Sequence, residues 1–205
     1  MSVSNRTKAE EFKESVEAKI RDLVLDFSKG NISREQFQVI YERYNNQLDM
    51  ANQALYGSNA EALDAAQTGP STVAIRQSLM GKAIGMAIYH NKSGTMIETL
   101  GDFEVPVHQL SARLNDISMQ IENRDFVETV IEKLSNEVWL VYAAGKFTTI
   151  VTVFRNEPSQ MQTREINRLH HDFEQANASN ISKERVDASK LAYPFMVFIK
   201  KKIRQ

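Results

Sequence analysis

"RDFVETVIEKLSNEVWLVYAAGKFTTIVTVF", residues 124–154, decides how the chain is read. Apolar residues recur at every second position and β-branched residues are dense, the pattern of buried strands rather than of helices. Ser135 with Asn136, and Gly145 with Lys146, divide the run into three pieces, 126–134, 137–144 and 147–154. Breaks this short read as tight turns between antiparallel strands. In the third piece Phe147, Val151 and Val153 point one way and Ile150 and Phe154 the other, so both of its faces are expected to be covered.

Working upstream, "KAIGMAIYH" (82–90) alternates in the same way, "NKSG" (91–94) carries turn chemistry, and "TMIETLG" (95–101) reads as the returning strand. Val107, Leu110, Leu114, Ile117 and Ile121 then fall three, four, three and four apart, which predicts an amphipathic helix starting near Pro106. Downstream, "RNEPS" ends the sheet and Pro158 suits the first turn of another helix. Its buried stripe is read as Met161, Leu169, Phe173 and Ala176, with Ile166 on the flank. A final helix is expected over 182–203, with Ala188, Leu191, Phe195 and Phe198 on one face and a kink at Pro194. Residues 71–80, ahead of the first strand, read as a short helix, with "TVAIR" (72–76) also open to a strand reading. The order is β-β-α-β-β-β-α, an α+β domain built on an antiparallel sheet.

The front of the chain reads differently. Phe12, Val16, Ile20, Leu23 and Phe27 make one helical stripe, which Gly30 can end in the left-handed conformation. In "NISREQF" Ser33 and Gln36 have capping-box spacing, and Ile32 and Phe37 can staple over them. A second stripe, Phe37, Tyr41, Tyr44, Leu48, Ala51 and Leu55, keeps the four-three alternation of a paired seam. Two helices with a short turn between them form an antiparallel hairpin. The chain thus divides into a hairpin at 1–56, a linker at 57–72 punctuated by Gly57, Gly69 and Pro70, the α/β domain at 73–181 and the last helix at 182–205.

Composition narrows the chemistry. The 205 residues are 42% hydrophobic and 25% charged, with a formal net charge of -1, so no basic footprint for nucleic acid is present. There is no cysteine, which excludes disulfides and thiolate chemistry and fits a reducing, cytoplasmic setting. The N-terminus has no signal-peptide character, and no apolar run approaches the roughly 20 residues that span a bilayer. "FMVFIKKKIRQ" (195–205) joins apolar residues to Lys200, Lys201 and Lys202. It reads as a core-facing helix whose basic end suits its own dipole, in preference to a membrane contact.

"REINRLHHDFEQAN" (164–177) looks most like a site. Neighbouring helical residues point about 100° apart, so His170 is expected to flank the buried stripe and His171 to point away. Helical metal ligands stand three or four apart, which leaves only His170 and Glu174 as a pair. His90 falls at a turn and His108 at a helix start, and Glu98, Asp102 and Glu104 read as a surface cluster. The chain contains no phosphate-binding loop, dinucleotide fingerprint or nucleophile elbow. No catalytic residue, metal or cofactor is assigned.

The stretch "KAIGMAIYHNKSGTMIET", the helix at 107–121, "FVETVIEKLSNEVWLVYAAGKFTTIVTVF" and the closing helix together resemble the roadblock family, which includes dynein light chains and bacterial partners of small GTPases. The likeness covers about residues 71–177 and extends to profilin-like folds in general. It implies a non-catalytic, homodimeric module that binds a small GTPase or serves as a scaffold. It further implies pairing through the central helix and the strand after it, with Leu110, Leu114, Ile117, Phe126 and Val130 at the interface. On the hairpin, Tyr41, Tyr44 and Leu48 lie on a seam that reads first as packing within the hairpin and second as a surface recruiting another chain. The hairpin and the last helix are additions to the family pattern. The alternative is a small-ligand sensor of the GAF or PAS type, its pocket lined by Trp139, Tyr142 and the small-residue face of the first strand.

Overall fold

The computed structural model describes residues 3–56, 68–135 and 138–194. They fall into two compact units, Met1–Met80 with Ser159–Met161, and Gly81–Pro158 with Gln162–Gln205. No described helix is long and apolar enough to cross a membrane.

The first unit is the hairpin of α1 (Val3–Ser28) and α2 (Arg34–Tyr56), joined by α3 (Thr72–Ser78). The α1 helix stops as its sequence dictates. Gly30 takes φ +77°, its N–H donates to the Phe27 carbonyl, and the Asn31 N–H reaches back to Asp26, a Schellman ending. The capping box forms in both directions: the Ser33 N–H donates to Gln36 Oε1 at 2.9 Å and the Gln36 N–H to Ser33 Oγ at 3.2 Å. Replacing Ser33 by alanine is expected to cost about 1 kcal/mol of hairpin stability in a denaturant titration, because it orphans an amide at a buried helix start.

Two sequence expectations shift here. The seam of α2 runs through Ile40, Tyr44, Ala51 and Ala54; Tyr41 is left 38% exposed, stacked on Phe37. The α3 helix belongs to the hairpin, not to the α/β domain, so the boundary lies at Met80 rather than at 72. Ile75 joins the hairpin core, the Gln36 side chain donates to the Arg76 carbonyl, and Tyr44 shares a hydrogen bond with Thr72. Arg76 also pairs with Asp26 at 2.6 Å, which holds that carboxyl below its usual range. The remainder of the expected linker, 57–67, lies outside the described residues.

The second unit is a five-stranded antiparallel sheet in the order β2-β1-β5-β4-β3: β1 (Lys82–His90), β2 (Met96–Gly101), β3 (Val130–Ser135), β4 (Val138–Ala144) and β5 (Thr148–Arg155). The helix α4 (Val107–Glu122) covers one face, setting Leu110 and Ile117 against Ala87, Tyr89, Leu140, Tyr142, Val151 and Val153. The other face meets α5 (Gln160–Ile181), through Ile166 against Trp139, Val141 and Phe154, and Phe173 against Ile88 and Ile150. Central β5 is covered on both sides, as its two apolar faces require. This is the expected α+β architecture and element order.

Two boundaries differ. The strand β3 begins at Val130, not Phe126. Thr129 is drawn toward α5, its hydroxyl donating to Asn167 Oδ1 at 3.1 Å and accepting from Asn167 Nδ2 at 2.7 Å, so residues 126–129 leave the sheet. After Ile181 the chain is irregular through Pro194 apart from one 3-10 turn, Ala188–Lys190, where a helix was expected. Asparagines on α5 take up its backbone groups there. The rest of that expected helix, with Phe195, Phe198 and the lysines 200–202, lies outside the described residues.

Candidate functional site

The double histidine sits where α5 crosses the β4–β5 turn. The buried stripe of α5 is Thr163, Ile166, His170, Phe173, Asn177 and Ile181. That corrects the expected stripe: Met161 is 53% exposed and Ala176 is exposed, while His170, expected on the flank, is 3% exposed. Half of the stripe is polar, and each polar member has a partner waiting.

The β4–β5 turn closes with the Gly145 N–H on the Thr148 carbonyl at 2.8 Å. A turn this tight aims consecutive amides in one direction and makes a concavity for an anion. Glu174 fills it. One carboxylate oxygen accepts from the Phe147 and Thr148 amides, each at 2.8 Å, and from the Thr148 hydroxyl at 2.9 Å; the other accepts from the Lys146 amide at 2.9 Å. Gly145 carries no side chain for a reason: a β-carbon there would stand 2.5 Å from that carboxylate.

One turn earlier on α5, His170 Nε2 lies 2.8 Å from the Thr148 hydroxyl. The hydroxyl proton goes to Glu174, so the network assigns the imidazole Nε2–H as donor. Burial pushes the His170 pKa down to about 4, against the opposing pull of Glu174 and with a small contribution from His171. His170 is therefore neutral near pH 7. His171 points to solvent beside Gln175 at 2.8 Å.

The neighbouring β1–β2 turn is bound into the same end of the sheet. Asn91 donates to the Gly145 carbonyl and accepts from the Thr149 hydroxyl, while His90, also buried, bridges Ser93 and the Ile181 carbonyl. His108 is exposed at the start of α4. Glu98 accepts from the Tyr193 hydroxyl at 3.2 Å, and Asp102 and Glu104 are exposed; these three build no shared site.

Above the clasp opens a polar cleft of about 800 Å³, between residues 126–129, the end of β4 and the Arg164, Asn167 and His171 side of α5. General acid–base work needs an ionisable group aimed at a substrate. Here His170 and Glu174 are both aimed at the β4–β5 turn, and the Thr148 hydroxyl between them is fully buried. The arrangement does the work of a structural clasp. Among the described residues, no group of three histidine or acidic side chains is placed to hold a metal ion.

Beside the cleft runs one of the sheet's two edges, β2 forming the other. The strand β3 is hydrogen-bonded to β4 alone, and Arg113 of α4 braces it through Glu132 at 2.6 Å. Of the interface residues named from sequence, Leu110 and Ile117 are buried in the chain's own core, and Leu114 and Val130 are half-buried against it. Phe126 is 86% exposed at the approach to β3. Ile131 is 41% exposed on that strand; the alternation in "VIEKL" that turns Val130 and Leu134 to the core sets it on the other face. On the hairpin, Tyr44 and Leu48 belong to the internal seam and Tyr41 lies on its rim. Trp139 and Tyr142 sit on opposite faces of the sheet, so they line no common pocket. No protein-family model matches the chain, and no curated protein matches it.

Proposed function

We propose that the chain is a non-catalytic, roadblock-like interaction module of the cytoplasm that docks a second polypeptide along the β3 edge. The first such partner is another copy of itself, and the resulting homodimer serves a small GTPase or another protein as regulator or scaffold. The observation that carries this reading is the β3 edge together with the exposed apolar residues Phe126 and Ile131 beside it. An edge strand presents unpaired backbone groups, and proteins blunt such edges or use them. This one is flanked by Phe126 and Ile131, large apolar side chains turned toward solvent. The order β-β-α-β-β-β-α supports the likeness to roadblock proteins. The commitment of His170 and Glu174 to the β4–β5 turn supports a role without catalysis.

Analytical ultracentrifugation of the wild type at micromolar concentration is expected to give twice the 23.3 kDa chain mass. Phe126→Glu with Ile131→Lys is expected to weaken association at least tenfold while shifting stability by only about 0.5 kcal/mol, since neither side chain is core. A monomeric wild type would count against the dimer.

A further inference from the structure

The segment after α5 is held in an unusual way. From Asp187 to Tyr193 the chain runs back along α5, and the hydrogen bonds that fix it there come from side chains. Asn177 takes both polar groups of one residue's backbone: its Nδ2 donates to the Ala192 carbonyl and its Oδ1 accepts from the Ala192 amide, each at 2.7 Å. One turn on, Asn180 repeats the clamp on Asp187, at 2.8 and 3.1 Å. An asparagine amide offers the same donor and acceptor as a peptide group, so both clamps read main chain whatever its side chains.

Side-chain selection lies between and beyond the clamps. Leu191 and Tyr193 flank Ala192 and pack against the cluster of Ile88, Ile150 and Phe173, where Met86, Ile97 and Leu100 complete the walls. Tyr193 stacks on Phe173 at a centroid distance of 5.9 Å, and its hydroxyl reaches Glu98 on β2. Ala192 between them is exposed. Main-chain hydrogen bonds combined with pockets for alternate side chains are the way protein grooves bind extended peptides.

We infer that the groove between α5 and the β1–β2 face is a binding site for an extended leucine-x-tyrosine segment of a partner polypeptide, which the chain's own residues 187–194 occupy in cis. The strap forms no ladder with the sheet, so it lifts without breaking β1, β2 or α5. Its tether, 182–186, is almost wholly exposed. Because the strap is joined to the groove, its effective concentration there is high, and a free peptide competes poorly until the strap is loosened.

The test uses the full chain and a fluorescein-labelled peptide of residues 186–194, VDASKLAYP, read by anisotropy. Leu191→Ala with Tyr193→Ala loosens the strap and is expected to bind the peptide at least tenfold more tightly than wild type. Adding Asn177→Ala should abolish that gain, and a peptide with both anchors changed to alanine should not bind. Ala192→Pro removes the strap amide that donates to Asn177 Oδ1 and leaves every groove residue in place; it serves as the second loosened variant and is expected to show a smaller gain. Loosened variants that are folded by circular dichroism yet bind no peptide overturn the inference. So does binding indifferent to Asn177 or to the peptide's anchors, or strap exchange between two copies with no uptake of free peptide.

Discussion

Glu174→Ala is expected to destabilise the second unit by about 3–5 kcal/mol, as the loss of several charge-assisted hydrogen bonds at one buried acceptor requires. In a thermal melt that corresponds to a fall of roughly 10–20 °C. The reason is the geometry of the turn. Three amides and a hydroxyl converge on a carboxylate whose side chain is 13% exposed. Alanine leaves all four donors facing a hole, and hydrogen bonds to a charged group are the ones whose loss costs most. Glu174→Gln keeps one acceptor oxygen and turns the other into a donor facing an amide, so it is expected to lose a large part of the same stability. Gly145→Ala reaches the same contact from the opposite side, by displacing the carboxylate. An alanine variant melting within a few degrees of wild type would show that the clasp contributes little.

Acid is expected to weaken the fold through His170. Its folded pKa is depressed, to about 4, from an ordinary value of 6.5, because burial penalises the imidazolium. The unfolded chain therefore binds a proton more readily than the native one. Stability from this group is complete above about pH 6.5 and is lost as pH falls from there toward 4. One pKa unit is about 1.4 kcal/mol, so the loss across that window is roughly 3 kcal/mol. Urea titrations between pH 4 and 7 measure it. His170→Gln, whose amide can still donate to Thr148, is expected to flatten the dependence by close to one proton. His171→Ala is expected to leave both the slope and the midpoint nearly unchanged, because that ring is exposed. Equal slopes in wild type and His170→Gln would exclude His170 as the titrating group.

Much of the architecture was legible because its signals are local. Ser33 and Gln36 cap each other three residues apart, Gly30 ends its own helix, and the alternation from Val138 to Phe154 needs no distant partner to be read. What hydropathy misjudged was phase. The stripe of α5 looked as if it should run through Met161 and Ala176, since those are apolar. The observed stripe passes through Thr163, His170 and Asn177. Burial of His170 and Asn177 is stabilised by Thr148 and by Ala192, and no window along the helix contains both a buried polar residue and the remote group that satisfies it. Tyr41 and Ile40 traded places for a simpler reason: neighbouring apolar residues on a helix leave the seam ambiguous by one position. The departure of residues 126–129 from the sheet was not legible, because it depends on Asn167 of α5.

The strand order carries a consequence for how the polypeptide acquires its shape during synthesis. The earliest strand of the sheet, β1, lies in register with the latest, β5, Lys82 opposite Arg155 and His90 opposite Thr148. As the nascent chain leaves the ribosome, the β1–β2 hairpin emerges with one side open and waits for everything through β5 to follow. The β3–β4–β5 meander can zip by itself, and the α1–α2 hairpin, whose partners are adjacent in the chain, is complete far sooner. Non-local pairing of this kind makes folding slower and leaves apolar strands uncovered for longer. The interval between the first turn of the sheet and its last strand is thus the stretch of its biogenesis in which a chaperone has most to protect.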